Sequence, residues 1–464
     1  MTTNVDEKIL AHIGFDDIDT PFGGCTTHFT ALLLEKWIRE NKIQLIDYPN
    51  LIRLNPGVPW KTRGNGALVI RFLVEDGAEA LDRFNEAIVF AEQYLKEYRH
   101  PQSQPVAGIY LGEVTGYVKW FGEKAVKDFI PLSLLERILV KISDTFKYYS
   151  FKQGKRGIIG VLGGIGYRMI DCDYTFELIA YRSDEYFGKP RAVNPDSVKR
   201  MDKILGNETI LNYDYEIDKP LITPHGADPV LLGIRGETAE AVIKAYNLIE
   251  VNEPVPLRVI YRTNQHTDAH LRIIESLEEA YIYSGVRIKA VVSRKPRRIQ
   301  GGHVVFTITD GIREIDVAAY EPTGRFRNVV DKLLPGDGVE VMGIVRPPSS
   351  RHSSTINLEK IYIIKLKPLI KLENPRCPKC GARMKSAGRN KGYKCPKCGY
   401  RDPNAKKIVR VIERKSLSPG WYQPPPRCFK HLMKPVQRFG KEKKGFPRIF
   451  IPEKFIWVNN ELLK

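Results

Sequence analysis

The sequence predicts a multidomain α+β protein whose last part is a small β-barrel followed by a zinc ribbon. Three observations carry that expectation. The 464 residues exceed what a single core of ordinary size holds. The N-terminal half mixes strand-like and helical periodicities, whereas five short β runs follow one another from Val286 onward. Four cysteines then fall in two Cys-x-x-Cys pairs within one short segment.

Taken in order, residues 9–19 read as a strand ending in acids, and the turn Gly23-Gly24 follows. Residues 27–41 show helical spacing through Phe29, Leu33 and Trp37, with Thr26 or Thr27 as the cap. Residues 66–74 alternate like a strand, and 77–98 read as an amphipathic helix. The stretch 100–105, His-Pro-Gln-Ser-Gln-Pro, reads as a boundary. Residues 128–149 are expected to form a helix and 175–181 a strand, with a further helix from Glu237. The later β runs are 286–292, 303–309, 314–319, 338–345 and 355–366, with a helix-like segment at 326–334. Five strands with a helix before the fourth is the order of an OB-fold barrel.

Net charge is +19, and its location is informative. From Lys371 to the last residue there are 25 lysines and arginines against six acids; the rest of the chain balances at 48 of each. A neutral body with a cationic end points to a polyanionic partner at that end. Aromatic residues interrupt the charges there, among them Tyr393, Tyr400, Trp421 and Trp457, and base stacking uses both kinds of side chain. No apolar run approaches the ~18 residues of a membrane span. The N-terminus is polar and acidic, so a cytoplasmic protein with no membrane partner is expected. Cys25, Cys172 and Cys428 are scattered, which argues against a disulfide framework and for a reducing compartment.

Cys377 and Cys380 form one knuckle, Cys395 and Cys398 the other. Zinc needs four soft ligands in a tetrahedron, and each Cys-x-x-Cys turn supplies two thiolates. The ligand set is closed, so the metal is expected to be structural. At the other end, Asp16, Asp17 and Asp19 close a strand, and Gly23-Gly24-Cys25-Thr26-Thr27 leads into a helix. Carboxylates beside a helix N-terminus can hold magnesium, and the helix end with its backbone amides can hold phosphates. A hydroxyl placed as Thr26 is could receive a phosphoryl group. Trp60-Lys61-Thr62-Arg63-Gly64-Asn65-Gly66 adds cations to a glycine turn, as phosphoryl transfer requires. Gly154-Lys155-Arg156-Gly157, running on to Gly160, Gly163, Gly164 and Gly166, and Gly233-Ile234-Arg235-Gly236-Glu237 read as further loops converging on an anionic substrate. His266 and His270 stand at helical i, i+4 spacing without the glutamate of a zinc protease, and a capping or linker role is expected for them.

These segments together resemble the archaeal tRNA 2-agmatinylcytidine synthetase family. The resemblance is carried by Gly14-Phe-Asp-Asp-Ile-Asp19, Cys25-Thr26-Thr27, Ile52-Arg-Leu-Asn-Pro56, Lys61-Thr-Arg-Gly-Asn-Gly66, Gly233-Ile-Arg-Gly-Glu237, Gly301-Gly-His303 and the cysteine knuckles. Phe15 and Ile18 depart from the usual isoleucine and threonine of the acidic motif without removing a carboxylate. Residues 199–219 and those after Arg427 are weakly matched. The resemblance implies a kinase-like ATP-binding domain (1–105), a ferredoxin-like domain and connection (106–283), an OB-fold (284–370), a zinc ribbon (371–403) and a basic tail (404–464). It implies catalytic roles for Asp16, Asp17, Asp19 and Thr26, the last as a site of autophosphorylation. ATP and magnesium would lie against these acids and against Gly23, Gly24, Thr27, Lys61, Arg63, Gly64 and Asn65. The implied reaction phosphorylates the 2-oxo group of the wobble cytidine in the CAU anticodon of an isoleucine tRNA, after which agmatine displaces the phosphate. The alternative is a non-catalytic zinc-ribbon and OB-fold protein that binds nucleic acid.

Overall fold

A computed structural model of the chain describes residues 8–21, 23–61, 64–98, 103–350, 352–412, 414 and 416–463. Strand β1 (Ile9–Asp16) pairs antiparallel with β3 (Gly66–Val74) on one side and β4 (Val106–Leu111) on the other. With β2 (Asn50–Arg53), β5 (Phe146–Ser150), β6 (Thr175–Tyr181), β7 (Val230–Gly236) and β8 (Leu257–Thr263) they form one sheet in the order β7-β6-β8-β2-β3-β1-β4-β5. Within this order only β8 and β2 run parallel. Strands from both stretches of the N-terminal half are thus hydrogen-bonded into a single surface.

All nine residues of β3 are buried, because helices cover both faces. Its side chains alternate between two cores. Leu68, Ile70, Phe72 and Val74 face helices α1 (Thr26–Arg39) and α2 (Gly77–Glu97). Ala67 and Val69 face α3 (Gly116–Lys127), α4 (Leu132–Lys141) and α5 (Arg156–Gly166). Helices α6 (Pro195–Leu205) and α7 (Ala239–Asn247) extend the first core under β6 and β7.

Two expectations are corrected here. Residues 128–149 are not one helix: Pro131 caps α4, which ends at Lys141, and β5 follows. The glycine run after Gly154 is not a loop but α5, packed against the sheet and α3. Each helical glycine costs about 1 kcal/mol relative to alanine, and close packing decides the matter. A β-carbon at Gly166 would lie 2.1 Å from the Val118 carbonyl, and one at Gly122 would lie 2.5 Å from Gly166.

From Gly285 a closed five-stranded barrel follows: β9 (Gly285–Arg298), β10 (Val304–Thr309), β11 (Glu314–Ala319), β12 (Gly338–Arg346) and β13 (Thr355–Lys365). β9 pairs with both β10 and β12, β11 runs parallel to β13, and β13 pairs with β12, which closes the ring. The short helix α8 (Phe326–Val330) precedes the fourth strand, as the sequence predicts. Val286, Ile288, Phe306, Val317 and Ile361 fill the interior.

A two-stranded ribbon, Leu369–Glu373 against Ile408–Ile412, carries the cysteine module out from the barrel. The chain then returns. Gly420–Tyr422 pairs with β13, and Ile456–Val458 adds antiparallel to β8. The segment expected as a basic tail is therefore a strap across the body. Among the described residues, no helix is long and apolar enough to cross a membrane.

Candidate active site and zinc centre

Two chambers meet at the C-terminal end of β1. The larger, about 880 Å³, is lined by Asp16, Asp17, Asp19, Trp60, Lys61, Asn65, Gln104, Asp128, Phe129, Arg156 and Gly160 among others. The smaller, about 410 Å³, is lined by Asp19, Cys25, Thr26, Thr27, Arg53, Gly64, Glu177, Asp228, Arg235, Arg427 and His431 among others. Of the predicted acids, Asp19 alone borders both.

Backbone geometry sets these positions. Asp17 adopts a left-handed conformation (φ 61°), which aspartate tolerates better than most residues. Its Oδ2 accepts the Gln104 N–H at 2.6 Å. Asp16 lies against α5, where a β-carbon at Gly160 would fall 1.8 Å from its Oδ2, so glycine makes room for the carboxylate. Burial, with Asp17 and Asp19 beside it, pushes the Asp16 carboxyl well above the usual carboxylate range. Asp19 Oδ1 accepts the Thr26 N–H at 3.1 Å and so occupies the positive end of α1. This corrects the expected cap: the N-cap residue is Cys25, its side chain makes no capping hydrogen bond, and the acid seven residues before Thr26 supplies one.

The Thr26 side chain is buried, and its Oγ1 has no hydrogen-bond partner among the described residues. A buried hydroxyl without a partner costs of order 1–3 kcal/mol, and here it lines the smaller chamber. Thr27 lies beside it, its Oγ1 3.1 Å from Cys25 Sγ. Gly23 and Gly24 line neither chamber. Thr20 and Gly24 exchange hydrogen bonds at 2.9 Å, and Gly23 (φ 121°) takes the turn between them. Lys61 lines the larger chamber, where burial and the neighbouring Lys430 and Arg346 lower its ammonium pKa. Asn65 (φ 44°) reaches back to donate to the Asn55 carbonyl at 2.8 Å. Arg63 lies outside the described residues. Arg156 sits 4.7 Å from the centre of the Trp60 ring, and Phe129 flanks Trp60 at 6.0 Å, so the mouth of the larger chamber has an aromatic and cationic lip.

Several residues of the smaller chamber escaped sequence reasoning. Glu177 projects from β6, receives a hydrogen bond from Gln265, and has Arg235 at 3.8 Å and Arg53 at 4.0 Å. A β-carbon at Gly233 would lie 2.8 Å from Glu177 Oε1. That contact gives the Gly-Ile-Arg-Gly motif a wall position instead of the expected loop. Arg427, Phe429 and His431 come from the strap. The spacing His266–His270 is not helical: His266 (φ 57°) and Asp268 (φ 59°) turn the chain. Both histidines tie elements together, as a linker role requires. His266 Nδ1 donates to the Met433 carbonyl at 2.9 Å, and His270 Nε2 bonds Glu359 at 2.8 Å.

In the ribbon, the four cysteine sulfurs lie within 4.8 Å of one another. Cys377 and Cys398 are 3.5 Å apart, Cys380 and Cys395 3.4 Å. Tetrahedral zinc with bonds of about 2.3 Å separates its sulfurs by roughly 3.8 Å, so the set fits the metal after slight expansion. Gly381 (φ 72°) and Gly399 (φ 76°) follow the second thiolate of each knuckle, where the chain turns left-handed. Among the described residues no other group of three or more ligands is drawn together so closely; the three aspartates are more spread.

The chain matches the family models of the TiaS TCKD domain over residues 12–88, the TiaS FLD domain over 155–270 and the TiaS C-terminal zinc ribbon domain over 374–415. It is 65% identical to TiaS of Staphylothermus marinus, the 2-agmatinylcytidine synthetase of isoleucine tRNA-2, over 99% of this chain and 100% of that one. It superposes on a crystal structure of TiaS in complex with isoleucine tRNA-2 and ATP with a TM-score of 0.79 at 37% identity, covering 95% of this chain and 99% of that chain. For a complex of TiaS with the same tRNA, AMPCPP and agmatine the TM-score is 0.77 at 35% identity, over 95% and 99%. The chain belongs to the TiaS family of isoleucine-tRNA 2-agmatinylcytidine synthetases.

Proposed function

We propose that this protein uses ATP to attach agmatine to the 2-oxo position of the wobble cytidine of a CAU-anticodon isoleucine tRNA, through a phosphorylated cytidine, so that the tRNA reads AUA. The observation that carries this reading is the junction of two chambers at Asp19, with the orphan hydroxyl of Thr26 on the wall of the smaller one. A cytosine oxygen is a poor leaving group, and its conversion to a phosphate ester makes displacement by an amine feasible.

The larger chamber suits ATP, with Lys61 and Asn65 on the phosphate side; Arg63, two residues after Lys61 in the sequence, would add a further cation for the phosphates, Gly64 would serve from the wall of the smaller chamber, and Gly23 and Gly24 would act by shaping the turn that sets Asp19 and Thr26. Asp16 and Asp17 offer the hard oxygen donors that magnesium takes. They would hold the ion together with phosphate oxygens, since the acids alone are too spread to enclose it. Bound magnesium would neutralise charge on the transferring phosphoryl group. Thr26 would accept a phosphoryl group, and Asp19 would fix its backbone. The smaller chamber suits the extruded cytidine and agmatine: Asp19, Glu177 and Asp228 are carboxylates for a dication, and Arg53 and Arg235 are cations for the phosphate.

On this reading the segments 1–105, 106–283, 284–370, 371–403 and 404–464 act as kinase-like, ferredoxin-like, OB-fold, zinc-ribbon and strap units in a cytoplasmic enzyme. The exposed lysines and arginines of the ribbon would meet the tRNA backbone. The test is incubation with ATP, labelled agmatine and unmodified isoleucine tRNA. Label is expected in the tRNA with AMP as the nucleotide product; zinc-loaded, folded protein that transfers no label overturns the reading.

A further inference from the structure

The strap brings one titratable side chain into the smaller chamber that no motif announced. Residues 431–433 are anchored to the turn after β8: His266 N–H donates to the His431 carbonyl at 2.7 Å, and Asp268 N–H to the Leu432 carbonyl at 2.8 Å. This pins the His431 backbone and directs its ring to the chamber wall.

The hydrogen bonds around the ring fix its tautomer. Gln265 is fully buried, and its amide nitrogen donates to Glu177. The Gln265 carbonyl oxygen therefore faces His431 Nδ1, 2.9 Å away. An amide oxygen only accepts, so Nδ1 carries the proton and Nε2 keeps its lone pair. On the Nε2 side lie Gly64 and the Arg53 guanidinium: a β-carbon at Gly64 would fall 2.4 Å from Arg53 Nη1 and 3.2 Å from Nε2, so glycine leaves room for both groups at the chamber wall. Three elements, β6 through Glu177, the turn after β8 through Gln265, and the strap, thus combine to present one unprotonated nitrogen at the chamber holding Thr26 and Asp19.

We propose that His431 Nε2 takes the proton that leaves the agmatine nitrogen as that nitrogen bonds to the cytosine carbon. The inference rests on the reaction proposed above. An alkylammonium has no lone pair and cannot attack. As the C–N bond forms, nitrogen gives one proton to Nε2 and its electron pair goes to carbon 2 of the base. The carbon–oxygen bond to phosphate then breaks, its electron pair leaving with inorganic phosphate. The second ammonium proton leaves the nitrogen with the departing phosphate, as hydrogen phosphate, and the agmatinyl base remains as a monocation. The groups facing the ring are Arg53, Arg235, Lys61 and His266, with Glu177 beyond Gln265. Burial first, and then these cations, lower the His431 pKa well below the usual histidine value, so the ring is neutral when agmatine arrives.

The test is single-turnover amine transfer by His431→Gln, with AMP formation followed in the same tube. The expected result is a fall in agmatine transfer of about 10²–10⁴-fold, the usual worth of a general base, with a much smaller fall in AMP formation. Hydroxylamine, already unprotonated at neutral pH, should lose far less than agmatine. Equal losses in both steps, equal losses with both amines, or wild-type transfer overturns the inference. If the glutamine variant does not fold, His431→Ala with added imidazole serves: recovery of agmatine transfer supports the role, and its absence overturns it. Failure of the wild-type protein to transfer agmatine would instead sink the underlying reaction.

Discussion

The cationic end of the chain consists of two regions that look alike in sequence and behave oppositely in space. In the ribbon, Lys379, Arg383, Lys385, Arg389, Lys391, Lys394 and Lys397 are exposed. One partly buried acid, Glu373, serves Lys371, Arg383 and Arg410 at 3.5, 2.8 and 3.9 Å. In the strap the cations are drawn down onto acids of the body. Arg438, 1% exposed, bonds Asp173 and Glu237; Lys443 reaches Glu237 at 2.8 Å, and Lys434 reaches Asp173 at 3.6 Å as well as the strap's own Glu442 at 2.8 Å. The strap thus neutralises Asp173 and Glu237 of the body. A run of lysines and arginines is an RNA-binding surface only where no fold has already claimed it, and burial separates the two cases.

The largest expected effect sharpens that contrast. Arg438→Met takes from Asp173 and Glu237 their shared buried partner but leaves them Lys434 and Lys443, so it should cost up to about 3 kcal/mol, the low end for a broken buried pair. Arg383→Met in the ribbon removes a half-exposed pair worth at most about 1 kcal/mol. Thermal unfolding of the two variants should differ accordingly; equal shifts would erase the distinction.

The junction beneath the strap gives a pH dependence. Burial alone would raise Glu359, but His270, Lys430 and Lys360 overcome it and hold its carboxyl at about 2. The folded value lies below the unfolded one of about 4.3, so the stabilisation is complete above that value and is lost as pH falls through the folded one. Glu359→Gln should therefore be less stable than wild type by about 2–3 kcal/mol at neutral pH, with the gap closing toward pH 2. A gap independent of pH, read from denaturant melts, would contradict this.

Chelation of zinc should unfold the ribbon and weaken tRNA binding roughly tenfold or more, because its phosphate contacts act as a unit. The main unfolding transition of the sheet should stay in place. Loss of both together would mean that the ribbon supports the body. The smallest effect is in salt dependence. Lys397→Gln should lower the slope of log affinity against log salt by about 0.7–0.9, whereas Lys434→Gln in the strap should leave it unchanged.

Much of this was readable from residues. The barrel was, because its β runs are bounded by turn signals and a short helix-like segment precedes the fourth. The zinc knuckles were, because four thiolates at that spacing have few other uses. The nearness of Asp19 to the start of α1 was, because acids that end a strand lie close to the helix that follows it. Three things were not. The glycines from 157 to 166 carry the same letters in a phosphate loop and in a tightly packed helix, and only contacts made in the folded chain, such as Val118 against Gly166 and Asp16 against Gly160, distinguish the two. The helix expected over 128–149 hid a strand, since residues 146–150, Phe-Lys-Tyr-Tyr-Ser, continue an apolar pattern after α4 ends. Glu177, Gln265 and His431 meet from positions far apart in the chain, and local pattern carries no signal for that.

On the proposed reading the chemistry occurs beside Asp19, which borders both chambers, and Thr26, which lines the smaller one. The most direct measurement is mass spectrometry of the anticodon nucleosides after reaction of wild-type protein and Thr26→Ala with ATP, agmatine and the isoleucine tRNA. Wild type should convert the wobble cytidine to its agmatinyl derivative, and the variant should leave it as cytidine while still binding the tRNA. Conversion by the variant at the wild-type rate would remove the chemistry from that junction.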